Sequence, residues 1–517
     1  QKMNSFIKNL VLVIIITGAF SCEKHLPVFT MDQVALIPHP NAVSPSVEVL
    51  NVKKIKSIQF DESNSTLVEM GLDLQSFWTA HTQLEVGLKN KSENNSNAIS
   101  LEIKDFSNQN EEYYQLQMGE NQITILGQTA AGVYRGVKTL EQIISLSHLS
   151  GMQTIKALPT GTIEDAPVYG YRGAMLDVSR HFFSVEEVKR YLDLLSIYKI
   201  NFLHLHLSDD QGWRIEIKAW PKLTSIGGKT EVGGAEGGFY TQLDYKEIVA
   251  YAQRRFITIV PEIDMPGHTN AALASYAELN CDNQIKALYT GMEVGFSTLC
   301  VDKELTYEFV ADVVSEISAM TPGAYFHIGG DESHVTPKKD YIKFMNRVID
   351  IVKQNNKIPM GWDEVVLADI PEVTVAQYWA KAENAIMAMD KKANVLMSPA
   401  SYAYLDMKYD SITKLGLKWA GYISVQKGYE WDPAELVPEL DPTRIIGIEA
   451  PLWTETLEDF EDIAQMAFPR LLGYSEIGWT KSDKRNWENY SSRLSYHSLI
   501  LDSLDVKYYP SSEVNWK

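Results

Sequence analysis

From Gly173 onward, short apolar runs alternate with longer stretches of helical periodicity. Runs at 173–178, 202–207, 258–263, 324–328, 358–362, 373–378, 394–398 and 445–449 read as strands. Each is brief and largely apolar, the pattern of a strand covered on both faces. Helical spacing fills most of the intervals, for example 185–199, 245–254 and 341–355. Eight such units between 166 and 495 predict an α/β fold, a (β/α)8 TIM barrel with insertions. A doubly wound open sheet is the alternative.

Ahead of the barrel the pattern is different. Strand-like runs at 84–88, 99–103 and 122–126 alternate with polar loops, and 129–144 shows helical spacing through Val133, Val137, Leu140 and Ile144. These predict a small α+β domain within 23–165, entered through a Pro-containing linker and closed by the stretch from Pro159 to Pro167. Residues 496–517 read as a C-terminal extension. Residues 1–22 have the pattern of an export signal: Lys2 and Lys8, an apolar run from Leu10 to Ile16, then small residues leading to Cys22. That run is too short to span a bilayer as a mature helix, so cleavage is expected. Ala19-Phe-Ser-Cys22 also resembles a bacterial lipobox, which predicts lipidation of Cys22 and a periplasmic or outer-membrane lipoprotein.

Composition narrows the partners. The 517 residues carry a net charge of −20, and loss of residues 1–21 removes two lysines and no acids, giving −22. Such acidity argues against nucleic acid and anionic membrane surfaces. Three cysteines are too few for a disulfide scaffold. In an exported protein Cys281 and Cys300 are candidates to pair, contributing ~3 kcal/mol in the chain-entropy model; two free thiols are the alternative. No Gly-rich phosphate loop of standard spacing follows a strand, so no nucleotide cofactor is expected. His204-Leu-His206 has the spacing of a metal pair, but no histidine occurs between His334 and His497 to complete a site from later strands. The two histidines therefore read as packed, hydrogen-bonded support, and no metal is expected.

The chemistry gathers at predicted strand ends: Asp177, Asp209, Asp264, Asp331, Asp363 and Glu449. Barrel enzymes build their sites at that end. The fourth strand runs into Gly329-Gly-Asp-Glu332. Neighbouring strand residues point to opposite faces, so the two carboxylates share a pocket only if the glycines carry the chain out of strand geometry. Two carboxylates held together favour one retained proton, which suits glycoside hydrolysis. Trp362, Trp379 and Trp453 follow three other strands, and indole faces stack well on sugar rings.

Tyr171–Phe182, His204–Arg214, Pro261–His268, His327–Glu332 and Leu452–Glu455 resemble the motifs of family 20 glycoside hydrolases, the β-N-acetylhexosaminidases. The resemblance spans the barrel and extends to the small domain. It implies an exo-acting enzyme that removes terminal GlcNAc or GalNAc, without a cofactor and without an enzymic nucleophile. The substrate's acetamido oxygen attacks the anomeric carbon, an exception to the two-carboxylate scheme. It implies Glu332 as acid and then base, keeping its proton beside Asp331. Asp331 accepts the acetamido N–H, and Tyr404 donates to the acetamido oxygen. Arg172 is matched to the arginine holding the 3- and 4-hydroxyls, with a structural ion pair as the alternative at its position early in the first strand. Asp406 and Glu455 are matched to grips on the 4- and 6-hydroxyls. Trp362, Trp379 and Trp453 wall the acetamido pocket, and Trp419 sits toward the leaving group. Asp209 and His268 support the acid. The Gly-rich run 232–239 reads as a rim loop or a plain surface loop. A surface sugar-binding lipoprotein that has lost catalysis is the rival reading, disfavoured because Asp331, Glu332 and Tyr404 are all present.

Overall fold

The structure is a computed structural model describing residues 30–91, 96–107, 110–149 and 155–517. The expected export signal and Cys22 lie outside the described residues. A mixed sheet opens the described chain: β1 (Ala42–Asn51), β2 (Ser57–Phe60), β3 (Gly87–Asn90), β4 (Ala98–Ile103), β5 (Tyr114–Met118), β6 (Ile123–Gly127) and β7 (Ala157–Asp165). Their order is β1-β7-β5-β6-β4-β2-β3. Helices α1 (Ser65–Thr82) and α2 (Ala130–Leu149) pack on it and on each other. The strand-and-loop expectation missed α1. Its buried stripe Leu67, Met70, Leu74 and Trp78 has helical spacing, and the Asn64 side chain caps its N-terminus by accepting from the Thr66 and Leu67 amides.

The barrel closes through eight parallel strands: β8 (Tyr171–Asp177), β9 (Phe202–His206), β10 (Thr258–Glu262), β11 (Tyr325–His327), β12 (Ile358–Trp362), β13 (Val375–Tyr378), β14 (Asn394–Met397) and β15 (Ile445–Leu452), with β15 pairing β8. The TIM barrel expectation holds, and the open sheet is excluded by that closure. Two boundaries change. β15 runs on to Leu452, so Glu449 lies inside the barrel rather than at its rim. One continuous helix, Trp487–Ser503, crosses the boundary expected at 495, and the segment after it packs back through Tyr509 N–H to Phe468 O (2.9 Å) and Lys517 N–H to Ser495 O (3.1 Å).

The small domain seats on the N-terminal end of the barrel, and that seam corrects one expected site residue. Arg172, early in β8 and fully buried, lies 2.8 Å from Glu112 of the small domain and donates to the carbonyls of Lys199 (3.0 Å) and Tyr169 (2.8 Å). Its guanidinium covers the Trp479 ring. Arg135 grips the same carboxylate at 2.6 Å. Arg172 therefore belongs to a structural ion pair at the barrel floor and cannot hold a substrate at the mouth.

Candidate active site

β11 ends at His327, and the chain then turns through Gly329 (φ +64°), Gly330 (φ +98°) and Glu332 (φ +45°). Positive φ suits glycine and is strained for Glu332. A Cβ on Gly329 would lie 1.8 Å from Asp264 Oδ1, so the turn needs glycine for space as well as conformation. The Gly330 amide donates to Asp264 Oδ1 (3.0 Å), and Tyr341 Oη donates to the Gly330 carbonyl (2.8 Å). Both carboxylates thereby face one partner: His268 Nε2 stands 3.8 Å from Asp331 Oδ2 and 3.6 Å from Glu332 Oε2.

Behind His268 runs an arm of alternating imidazoles and carboxylates. His268 Nδ1 is 3.2 Å from Asp209 Oδ1. Asp209 Oδ2 accepts from His206 Nε2 (2.8 Å) and from Arg180 Nη2 (2.8 Å). His206 Nδ1 meets Glu262 at 2.5 Å. All of these side chains are buried.

The surroundings act on the two carboxylates in opposite directions. Burial, then the neighbouring Asp264 and Glu332 charges, push the Asp331 carboxyl well above the ordinary aspartate range. Burial also acts to raise Glu332, but the hydrogen bond and charge of His268, with Arg180 and His334, draw it below the usual value. His268 itself is desolvated, yet Asp209, Asp264 and Asp331 hold its pKa well above that of a free imidazole. The surroundings thus favour the charged forms of His268 and Glu332 and disfavour the charged form of Asp331.

An aromatic wall faces the pair. Trp362 and Trp453 are 5.6 Å apart between ring centroids, Trp379 stacks with Tyr404 at 6.4 Å, and Trp419 meets Tyr404 edge-on at 5.7 Å. Trp419 is 57% exposed and forms the outer lip, whereas Trp362, Tyr404 and Trp453 are buried. Asp406 is buried with no side-chain donor to its carboxylate, which only the backbone amides of Asp406 and Trp453 approach, and Asp331 Oδ1 is unpartnered. Buried polar atoms are normally satisfied, so such orphans mark where a ligand's donors are missing. Burial, then the Glu455 charge, raise the Asp406 pKa well above normal; burial also raises Glu455, against the pull of Arg180.

The structure thus brings Glu332, Asp331, Tyr404, Asp209, His268, Trp362, Trp379, Asp406, Trp419, Trp453 and Glu455 to one mouth and leaves Arg172 out. The guanidinium at the mouth is that of Arg180, just past the C-terminal end of β8, 4.7 Å over the Trp453 ring and paired with Asp177 (3.4 Å) as well as Asp209. The signal for it was its position: it follows Asp177 at the strand's C-terminal end. His181 only packs there, its Nδ1 2.6 Å from Thr454 O. Cys281 and Cys300 are disulfide-bonded across an irregular loop on the rim. Ser297 of that loop donates to Asp210 (2.5 Å), and its Thr290 carbonyl accepts from Gly233 of the Gly-rich run (2.9 Å), which is therefore a rim loop.

A closed barrel with adjacent carboxylates and a tryptophan wall at its C-terminal mouth defines a hydrolase of glycosidic bonds. The chain belongs to glycosyl hydrolase family 20: that family's catalytic domain matches residues 169–341 and 334–482, and its domain 2 matches residues 33–166. A β-N-acetylhexosaminidase of Cellulomonas fimi is 38% identical over 489 residues, covering 94% of this chain and 98% of that one. The solved structure of the Streptomyces plicatus N-acetyl-β-hexosaminidase in complex with Thio-NAglucal superposes with a TM-score of 0.90 at 44% identity, covering 95% of this chain and 99% of the other. The Streptomyces coelicolor A3(2) enzyme gives 0.90 at 43%, over 95% and 100%.

Proposed function

We propose that this glycoside hydrolase removes terminal, non-reducing β-linked N-acetylhexosamine, GlcNAc or GalNAc, from glycans by retaining, substrate-assisted hydrolysis. What carries the reading is a pair of buried carboxylates inside an aromatic pocket, Asp331 with an orphaned oxygen and Asp406 with no side-chain donor. A structure of a mutant S. plicatus enzyme holds GlcNAc as product, which supports the same sugar here.

In this mechanism the acetamido N–H supplies the donor that Asp331 Oδ1 lacks, and a hydrogen bond to the anion favours ionised Asp331. The sugar also covers Glu332, whose side chain is 30% exposed in the free site, and desolvation favours its acid form. Docking therefore favours the ionised form of Asp331 and the acid form of Glu332. The acetamido oxygen, held by Tyr404, attacks C1. The C1–O bond breaks, its electron pair leaves with the aglycone oxygen, and Glu332 protonates that oxygen. The oxazolinium that results is balanced by Asp331. Water then attacks C1 as Glu332 takes its proton, restoring the acetamido group with overall retention.

Asp406, Glu455 and Arg180 are the grips for the ring hydroxyls, and Trp419 flanks the leaving group. We further propose export, with Cys22 as a lipid anchor; the Cys281–Cys300 bond is in keeping with an oxidising compartment. The test is hydrolysis of p-nitrophenyl N-acetyl-β-glucosaminide. Turnover is expected, with Glu332→Gln lowering kcat/KM by about 10²–10⁴-fold, the usual range for a lost general acid–base. Sugar binding without turnover above that variant would leave a binding protein instead.

A further inference from the structure

Beneath the mouth, one carboxylate is shared by the two halves of the site. Glu262, the last residue of β10, is fully buried at the level of His206 on β9 and His327 on β11, its partners in register. It accepts from His206 Nδ1 at 2.5 Å and from Trp362 Nε1 at 2.9 Å. Its oxygens also lie 3.0 Å from His204 Nε2 and 3.0 Å from His327 Nδ1. The first bond leads, through His206 and Asp209, to His268 and Glu332. The second fixes the indole that walls the acetamido pocket.

We propose that Glu262 is a positioning residue that sets the acid–base arm and the acetamido wall together. It rests on the hydrolase reading above. The argument is one of donors and charge. His206 sits between two carboxylates, Glu262 at Nδ1 and Asp209 at Nε2. Both nitrogens can donate only in the imidazolium form. Glu262 supplies the near counter-charge, so the Asp209 end of the arm receives a fixed N–H. Desolvation works against that cation, but Glu262 and Asp209 outweigh it and hold its pKa well above the free value. The other titratable groups facing the pair are His204, Asp264, His327, Glu449, Asp209 and Arg180. Among them, the Glu449 carboxylate turns away to His204, Tyr171 and Gln377. That leaves Glu262 and Asp209 as the carboxylates hydrogen-bonded to His206.

Glu262→Gln tests it. An amide accepts at one end only, so either His206 or Trp362 faces a donor, and the counter-charge to the imidazolium is gone. The expected result is a fall in kcat/KM on the order of 100-fold, as for a misplaced catalytic group. The alkaline limb of the pH–rate profile should also move to lower pH, because His206 loses its proton sooner. Glu262→Asp keeps the charge and should return the limb toward its original position while the rate stays low. Trp362→Phe breaks only the wall branch and should raise KM with the limb in place. An unshifted limb in Glu262→Gln, with the loss matched by the unfolded fraction, would overturn the proposal. If that variant does not fold, the nitrogen shifts of His206 in the unmodified protein decide. Both ring nitrogens protonated at pH 7 supports the assignment, and a neutral ring overturns it. That last measurement needs no substrate, so its failure is distinct from inactivity toward hexosaminides.

Discussion

At the barrel floor, Glu112 is gripped by Arg135 and Arg172, and Asp165 accepts from the Trp479 indole and lies 3.5 Å from Lys199. At the mouth, Asp331 and Asp406 are as deeply buried, yet one Asp331 oxygen has no partner and no side chain donates to Asp406. The same residue types respond in opposite directions. Burial acts to raise Glu112, but Arg172 and Arg135 bring it below the usual carboxylate range. Burial raises Asp331 and Asp406, and like charges push them further. Charge at the floor is structural because it is matched within the fold. Charge at the mouth is left open, and the missing partners are those that a sugar's hydroxyl and amide groups supply.

Exchanging the two arginines for methionine is the most severe way to break this contrast. Arg172→Met leaves the Glu112 carboxylate with one partner in a buried seam, and such losses destabilise by about 3–5 kcal/mol. Thermal unfolding should show that drop, while kcat/KM of the folded fraction stays close to that of the parent. Arg180→Met should do the reverse, lowering kcat/KM by about 10²–10³-fold, the scale of a lost electrostatic contact in a dry site. Equal effects from both variants would erase the distinction between floor and mouth.

A second test uses acid. His497, on the floor side, is 2.7 Å from the Ala35 carbonyl through Nε2, and burial lowers its pKa to about 4. The unfolded chain binds this proton up to about 6.5, the folded chain only below about 4. Stability from this group is therefore complete above pH 6.5 and is lost as pH falls toward 4, a difference of about 3 kcal/mol. His497→Gln should flatten that part of a plot of Tm against pH; an unchanged slope would place the proton elsewhere.

The smallest effect expected is at the mouth. Asp406→Asn removes a buried acid whose charge burial and Glu455 disfavour, so stability should hold or rise by about 1 kcal/mol even as activity falls. A raised carboxyl pKa means that this group's contribution is lost as pH rises, so the variant's advantage should grow with pH. A destabilised Asp406→Asn protein would show that the carboxylate is satisfied after all.

Much of this was legible in the chain. The barrel strands announce themselves because strands buried on both faces read as short apolar runs, and the Gly-Gly-Asp-Glu turn because paired glycines at a strand end mark a departure from strand geometry. The matching of Arg172 to the sugar-holding arginine, where the structure puts Arg180 at the mouth, shows the limit. Both lie in one motif, and only their positions along β8 separate floor from mouth. The surroundings that act on Asp331 and Glu332 were hidden for another reason. Adjacent carboxylates imply an uneven split, but the direction depends on His268, which comes from the β10–β11 connection some sixty residues earlier. Glu262 was equally hidden, since its meaning lies in partners on β9 and β12. The missed helix α1 was readable from its Leu67-Met70-Leu74-Trp78 spacing.

The floor has a consequence for modularity. Arg172 and Lys199 of the barrel find their carboxylates, Glu112 and Asp165, on the small domain, and the Gln142 side chain clasps the backbone of Ile37 (3.1 and 2.7 Å) and Ile197 (2.9 Å). A barrel severed from that domain would expose two unmatched cations and the Trp479 face they cover. Transplanting the catalytic half alone into a chimera would therefore transfer an open-ended cylinder, and the portable unit is the two-domain pair.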